Sequence, residues 1–127
     1  MKVGIIGLGL IGGSLAMSIK TNSNHTVYGY DIDPDVITKA LMCGAIDESV
    51  NPEGMRDCHI VLVALYPCKI IEAIDRWQDC FDEDALIIDC AGVKRAVFGP
   101  ISNIAEKHGW TYIGGHPMAG REFSGFG

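Results

Sequence analysis

Short apolar runs and longer amphipathic stretches alternate along this chain from one end to the other. The first run, Val3-Gly4-Ile5-Ile6, is continuous rather than alternating, which predicts a strand buried on both faces. Leu10 to Lys20 fits a helix, and Thr26 to Tyr30 a second strand. Asp33-Pro34 pairs an N-cap with a proline at the first helical position, so a helix is predicted from Pro34 to Met42 or Cys43, stopping at Gly44. Ala45 to Val50 has room for a brief third strand, and Asn51 to Asp57 is polar and turn-like with space for one helical turn. Cys58 to Leu65 predicts another doubly buried strand, ended by Tyr66-Pro67. A helix follows in which Ile70, Ile74 and Trp77 recur at helical spacing to about Asp79, with Trp77 read as core packing. Ala85 to Asp89 is the next strand and residues 90–94 turn out of it. A helix with Val97, Ile101, Ile104 and Ala105 on one face runs toward His108 and is capped by Gly109; Pro100 splits it or delays its start to near Gly99. Trp110 to Ile113 is the last strand.

Strand and helix alternating throughout imply one domain over residues 1–127, of the α/β class with a doubly wound parallel sheet of Rossmann type. Ligands of such sheets bind across the carboxyl ends of the strands, where the strand order reverses. The turns after Ile6, Tyr30, Leu65, Asp89 and Ile113 are therefore expected to converge on one crevice.

The turn after the first strand carries glycines at 7, 9 and 12, a G-x-G-x-x-G. With 16 glycines in the chain that spacing alone is weak, and its context decides. Here a strand precedes it, a helix and a second strand follow, and Asp31 stands 19 positions after Gly12. Gly7 permits the tight turn, Gly9 lets the backbone approach a pyrophosphate, and Gly12 lets the helix pack against the strand. The pyrophosphate would sit on free N–H groups at the helix N-terminus, beside Leu10 and Ile11. Asp31 can accept both ribose hydroxyls and would repel a 2′-phosphate; Ile32, not an arginine, follows it, so NAD is favoured over NADP. Leu65, Tyr66, Pro67 and Gly92, at the ends of later strands, complete the expected cofactor contacts.

Composition narrows the function classes. A net charge of -6 argues against a nucleic-acid backbone binder. No apolar run approaches the roughly 20 residues of a membrane helix, and because Met1-Lys2 runs straight into the first strand no signal peptide is expected. Five cysteines (43, 58, 68, 80 and 90) without a C-x-x-C fit neither a disulfide framework nor a zinc site; reduced, mostly buried thiols in a cytoplasmic protein are expected, with no metal. Of four histidines, His25 lies in a polar loop, His59 enters a strand and His108 ends a helix. His116 follows a strand end between glycines and Pro117, a position compatible with a proton acceptor in the crevice and with a plain surface loop.

Together, G-L-G-L-I-G-G-S at 7–14 and G-G-H-P-M-A-G-R-E at 114–122 resemble prephenate dehydrogenase, including its arogenate-using relatives. The first motif is shared widely among NAD enzymes and the second is far more specific. The resemblance spans the chain but only the family's N-terminal nucleotide domain. It implies NAD-dependent oxidative decarboxylation in tyrosine biosynthesis, with prephenate or arogenate as the small-molecule substrate, His116 taking the ring hydroxyl proton, and Glu122 at the mouth of the site. Arg121, where some relatives have threonine, is either a bidentate partner for a substrate carboxylate or a solvated side chain. Two departures stand out. Gly92 occupies the serine of the family's D-x-x-S-V-K turn, here Asp89 to Lys94, and cannot donate a hydroxyl. The resemblance also implies a C-terminal helical domain that supplies a dimer interface and an arginine for the substrate carboxylate, and that domain is not expected within residues 1–127. The expectation is a fragment or truncated relative of a two-domain, homo-oligomeric enzyme, or a missing domain contributed by another chain. The alternative is a stand-alone NAD-binding module or partner subunit without turnover. A 3-hydroxyacid or imine reductase is disfavoured by the second motif.

Overall fold

The computed structural model describes residues 1–65, 67–89 and 111–114. Its elements are β1 (Lys2–Ile6), α1 (Leu10–Asn22), β2 (Thr26–Tyr30), α2 (Pro34–Met42), β3 (Glu48–Ser49), β4 (Ile60–Val63), α3 (Pro67–Trp77), β5 (Leu86–Asp89) and β6 (Thr111–Gly114), with 3-10 turns at Pro52–Asp57 and Gln78–Cys80. Every strand pairing is parallel, and the sheet order is β3-β2-β1-β4-β5-β6. The chain therefore winds outward from β1 to β3, crosses back beside β1, and winds outward again. That reversal puts the switch point between β1 and β4, as expected for a doubly wound sheet.

β1 is the axis because it is buried from Val3 onward and its alternate residues feed different cores. Ile5 joins Val3, Leu8, Ala16, Val27, Ala40 and Leu62 on the face covered by α1 and α2. Ile6 joins Val61, Val63, Ile70, Ile74 and Ile87 on the face covered by α3. A strand packed on both sides has no polar face to alternate with, which is why its sequence reads as an unbroken apolar run. The α2 caps act as the sequence predicts: the Asp33 side chain accepts from the Asp35 N–H at 2.9 Å, and Gly44 takes a φ of +79° just past the helix.

Several boundaries differ from expectation. The strand predicted over Cys58–Leu65 is confined to Ile60–Val63. The Cys58 N–H instead closes the 3-10 turn on the Met55 carbonyl at 3.0 Å, and Ala64 and Leu65 form cleft wall beyond the strand. α1 runs on to Asn22, α3 stops at Trp77 with a 3-10 turn after it, and β6 is displaced by one residue, to Thr111–Gly114. The expectation of mostly buried thiols fails at Cys43, which is exposed. Cys58 does conform; burial pushes its thiol up to about 11, and its Sγ lies beside Gly4 on β1. The predicted helix toward His108 lies outside the described residues. Among the described residues, no helix is long and apolar enough to cross a membrane.

Asp47 fastens the start of β3 to β2. Its Oδ2 accepts from the Val27 N–H at 2.8 Å, and its Oδ1 lies 2.8 Å from Lys20 Nζ. The Lys20 hydrogen bond, helped by Val27 and opposed by desolvation, holds the carboxyl below its ordinary value of 3.8. A depressed folded-state pKa adds stability that is complete above the ordinary value and is lost as pH falls through the native one. Asp47→Asn should therefore melt below the wild type at pH 6–7, and the gap should start to narrow only as pH falls below about 4; a gap that stays constant on further acidification would refute it.

Candidate functional site

At the switch point, the carboxyl ends of five strands share one row. Ile6 is opposite Tyr30 on one side and Val63 on the other, Val63 is opposite Asp89, and Asp89 is opposite Gly114. From β1 to β6 the row covers three strand spacings, roughly 14 Å. A cleft of about 690 Å³ opens above its β2–β1–β4 portion, a size suited to a small-molecule ligand.

The glycine turn forms one wall. Gly7 leaves β1 with a φ of +96°, and a Cβ there would lie 2.5 Å from the Ala64 carbonyl oxygen. Only glycine allows this turn and the close approach of β1 to β4. Gly9 caps α1 with no side-chain hydrogen bond, and nothing lies within 4 Å of where its Cβ would be. That open space lies on the cleft. A helix beginning at Leu10 leaves its first N–H groups without intrahelical partners, so the turn offers amide donors and the positive end of the helix dipole to an anion. Leu10 (90% exposed) and Ile11 flank those donors on the cleft wall.

Gly12 has a different task. It is buried, and its Cβ would collide with the Gly7 carbonyl oxygen and touch Ala64 Cβ at 3.2 Å. It does not line the cleft; it serves the site by letting α1 pack down on the turn. Asp31, just past β2, faces the cleft with Ile32 beside it. Its Oδ2 accepts from the Leu8 N–H at 2.8 Å and its Oδ1 from the Asp33 N–H at 2.9 Å. Leu65 lines the opposite wall. The cleft thus brings together Gly7, Gly9, Leu10, Ile11, Asp31 and Leu65 of the residues singled out by sequence. Tyr66, Gly92, His116, Arg121 and Glu122 lie outside the described residues, as does the side chain of Pro67.

The third wall is one the sequence pattern does not single out. Lys69, Glu72, Ala73 and Arg76 of α3 face the cleft together with Trp77. Their i, i+3, i+4, i+7 spacing is a stripe adjoining the apolar one of Ile70 and Ile74, and that was the available signal. The core-only reading of Trp77 needs correction. The indole is half-buried, meets Tyr30 edge-on at 5.8 Å between centroids, and carries the Arg76 guanidinium 5.6 Å above it, while also lining the cleft. Among the described residues no cluster of three metal-ligating side chains occurs.

Residues 15–127 match the family model described as "Prephenate dehydrogenase, nucleotide-binding domain". The prephenate dehydrogenase of Bacillus subtilis (strain 168) is 30% identical over 125 residues, 95% of this chain and 33% of that protein. The crystal structure of Synechocystis arogenate dehydrogenase superposes with a TM-score of 0.86 at 29% identity, over 95% of this chain and 42% of that one. Prephenate dehydrogenase from A. aeolicus, solved in complex with hydroxyphenyl propionate and NAD+, superposes with a TM-score of 0.83 at 32% identity, over 95% of this chain and 43% of that one. The chain thus spans about a third of the curated relative's length.

Proposed function

This chain belongs to the prephenate dehydrogenase family through its nucleotide-binding domain, and from that premise we propose that it holds NAD in the cleft and supplies the dinucleotide half of an oxidative decarboxylation of prephenate or arogenate. The carrying observation is the juxtaposition of an empty approach at Gly9, unpartnered amides at the start of α1, and the Asp31 carboxylate around one cleft. The N–H groups at the α1 N-terminus bind the pyrophosphate. Asp31 takes the adenosine ribose hydroxyls through the acceptor directions its backbone bonds leave open, and it repels a 2′-phosphate. The α3 stripe closes the adenosine side of the cleft. Bound NAD supplies the hydride acceptor.

Hydride leaves the ring carbon that bears the hydroxyl and the C–O bond becomes a carbonyl as the hydroxyl loses its proton; carbon dioxide then departs, its bonding pair aromatises the ring and passes to the carbonyl oxygen, which takes the proton back as a phenol. The proton needs an acceptor, and His116 is assigned that role. It follows Gly114 by two residues, and Gly114 ends β6 in the row of strand ends that carries the cleft. Arg121 and Glu122, in the same family motif, are assigned to the substrate side.

The cofactor assignment is tested by titrating NAD and NADP into the protein and into Asp31→Ala. The variant should bind NAD at least about tenfold more weakly, having lost charge-assisted hydrogen bonds to the ribose, and should discriminate less against NADP. Unchanged affinity for both would remove Asp31 from the site. Adding prephenate to the NAD-loaded protein then separates enzyme from module: NADH formation supports the reaction above, and binding without turnover favours a cofactor-holding subunit.

A further inference from the structure

The backbone around Asp31 occupies its carboxylate before any ligand is considered. The Gly7 N–H donates to the Tyr30 carbonyl at 2.8 Å, and the next amide, Leu8 N–H, donates to Asp31 Oδ2 at 2.8 Å. Oδ1 accepts from the Asp33 N–H at 2.9 Å. The Leu8 side chain is only 5% exposed and fits because residue 29 is glycine. A Cβ there would come within 3.0 Å of Leu8 Cδ1 and 2.7 Å of Ile46 Cγ2. Three consecutive residues at the end of β2 thus grip Gly7 and Leu8 by a notch, a carbonyl and a carboxylate.

We propose that Asp31 is a positioning residue for the glycine turn: through Leu8 it sets the phosphate-binding backbone in the ligand-free protein, in addition to meeting the ribose. An ionised carboxylate has about four acceptor directions. Two hold the backbone amides, which leaves two for the vicinal hydroxyls of a ribose. The same two bonds fix the carboxylate's orientation, so it cannot swing away from an incoming 2′-phosphate without releasing the turn. Selection against that phosphate and order in the pyrophosphate loop are then one device. The ligand part of this inference rests on the NAD reading above; the ordering of the turn does not.

Asp31→Asn separates the two roles. An amide presents one oxygen and one NH2, so either Leu8 or Asp33 must face a donor. In the ligand-free full chain, NMR-detected exchange of the Leu8 amide should accelerate at least about tenfold over wild type, while Val63 in the central strand stays unchanged. Saturating NAD should slow Leu8 exchange by a larger factor in the variant, because the ligand then performs ordering that the carboxylate performed before. Unaltered Leu8 exchange in the free variant, or equal slowing by NAD in both proteins, would overturn the proposal. Failure of the wild type to bind NAD would overturn the cofactor reading instead and leave the free-protein comparison standing.

Discussion

Gly9→Ala and Gly12→Ala should both abolish useful NAD binding, yet only the second should weaken the fold. Nothing stands within 4 Å of a Cβ at Gly9, and the backbone there is extended with a negative φ of -70° that alanine tolerates. Its methyl group fills space open to the cleft, so the melting temperature should stay near the wild-type value. The cost falls on the ligand, because a pyrophosphate pushed off the α1 amides loses charge-assisted bonds. Two such bonds at about 1.5–3 kcal/mol each correspond to a loss of more than about a hundredfold in affinity. At Gly12 the new methyl meets the Gly7 carbonyl oxygen, a backbone atom with no rotamer to yield. α1 must then lift from the turn, which carries an overpacking cost of about 1–3 kcal/mol and displaces the same amides. Thermal melts beside NAD titrations check both claims. Equal melting losses in the two variants would show that the division of labour between the two glycines is wrong.

The features that sequence made legible were those written in local rules. Burial on both faces leaves β1 unbroken in hydrophobicity, Asp33-Pro34 and Gly44 bracket α2, and the glycine spacing announces a tight turn beside a cleft. The errors have a common source: apolarity reports burial, not pairing. Cys58 is buried but closes a 3-10 turn, so the apolar run overestimates β4 at its start, and Ala64 and Leu65 overextend it at its end. The α3 wall was hidden for a related reason. Trp77 satisfies the core pattern of Ile70 and Ile74, yet a helix crossing the edge of a cleft can serve core and ligand with adjoining stripes. The bond from the Leu8 N–H to Asp31 is illegible in the sequence because it depends on where Leu8 lies after the chain has turned, and no spacing rule relates an acid to an amide 23 residues earlier.

Replacing His116 by asparagine should lower turnover at least about a hundredfold in a protein that converts prephenate, the scale of losing a positioned general base. Asparagine keeps a similar polar shape and can hydrogen-bond the substrate hydroxyl, but its amide cannot hold the proton that leaves when the carbonyl forms. Cofactor binding should survive, because the pyrophosphate is assigned to the amides at the start of α1 and the ribose to Asp31, and His116 is assigned to neither. A fall in kcat with an unchanged Kd for NAD is therefore the expected signature. The pH profile offers a second check. Protonated imidazole is no acceptor, so the wild-type rate should fall on the acid side, and the residual rate of the variant should lack that limb. Near-normal turnover in His116→Asn, or an acid limb that persists in it, would transfer the proton-accepting role to another group and detach the second family motif from the chemistry proposed for it.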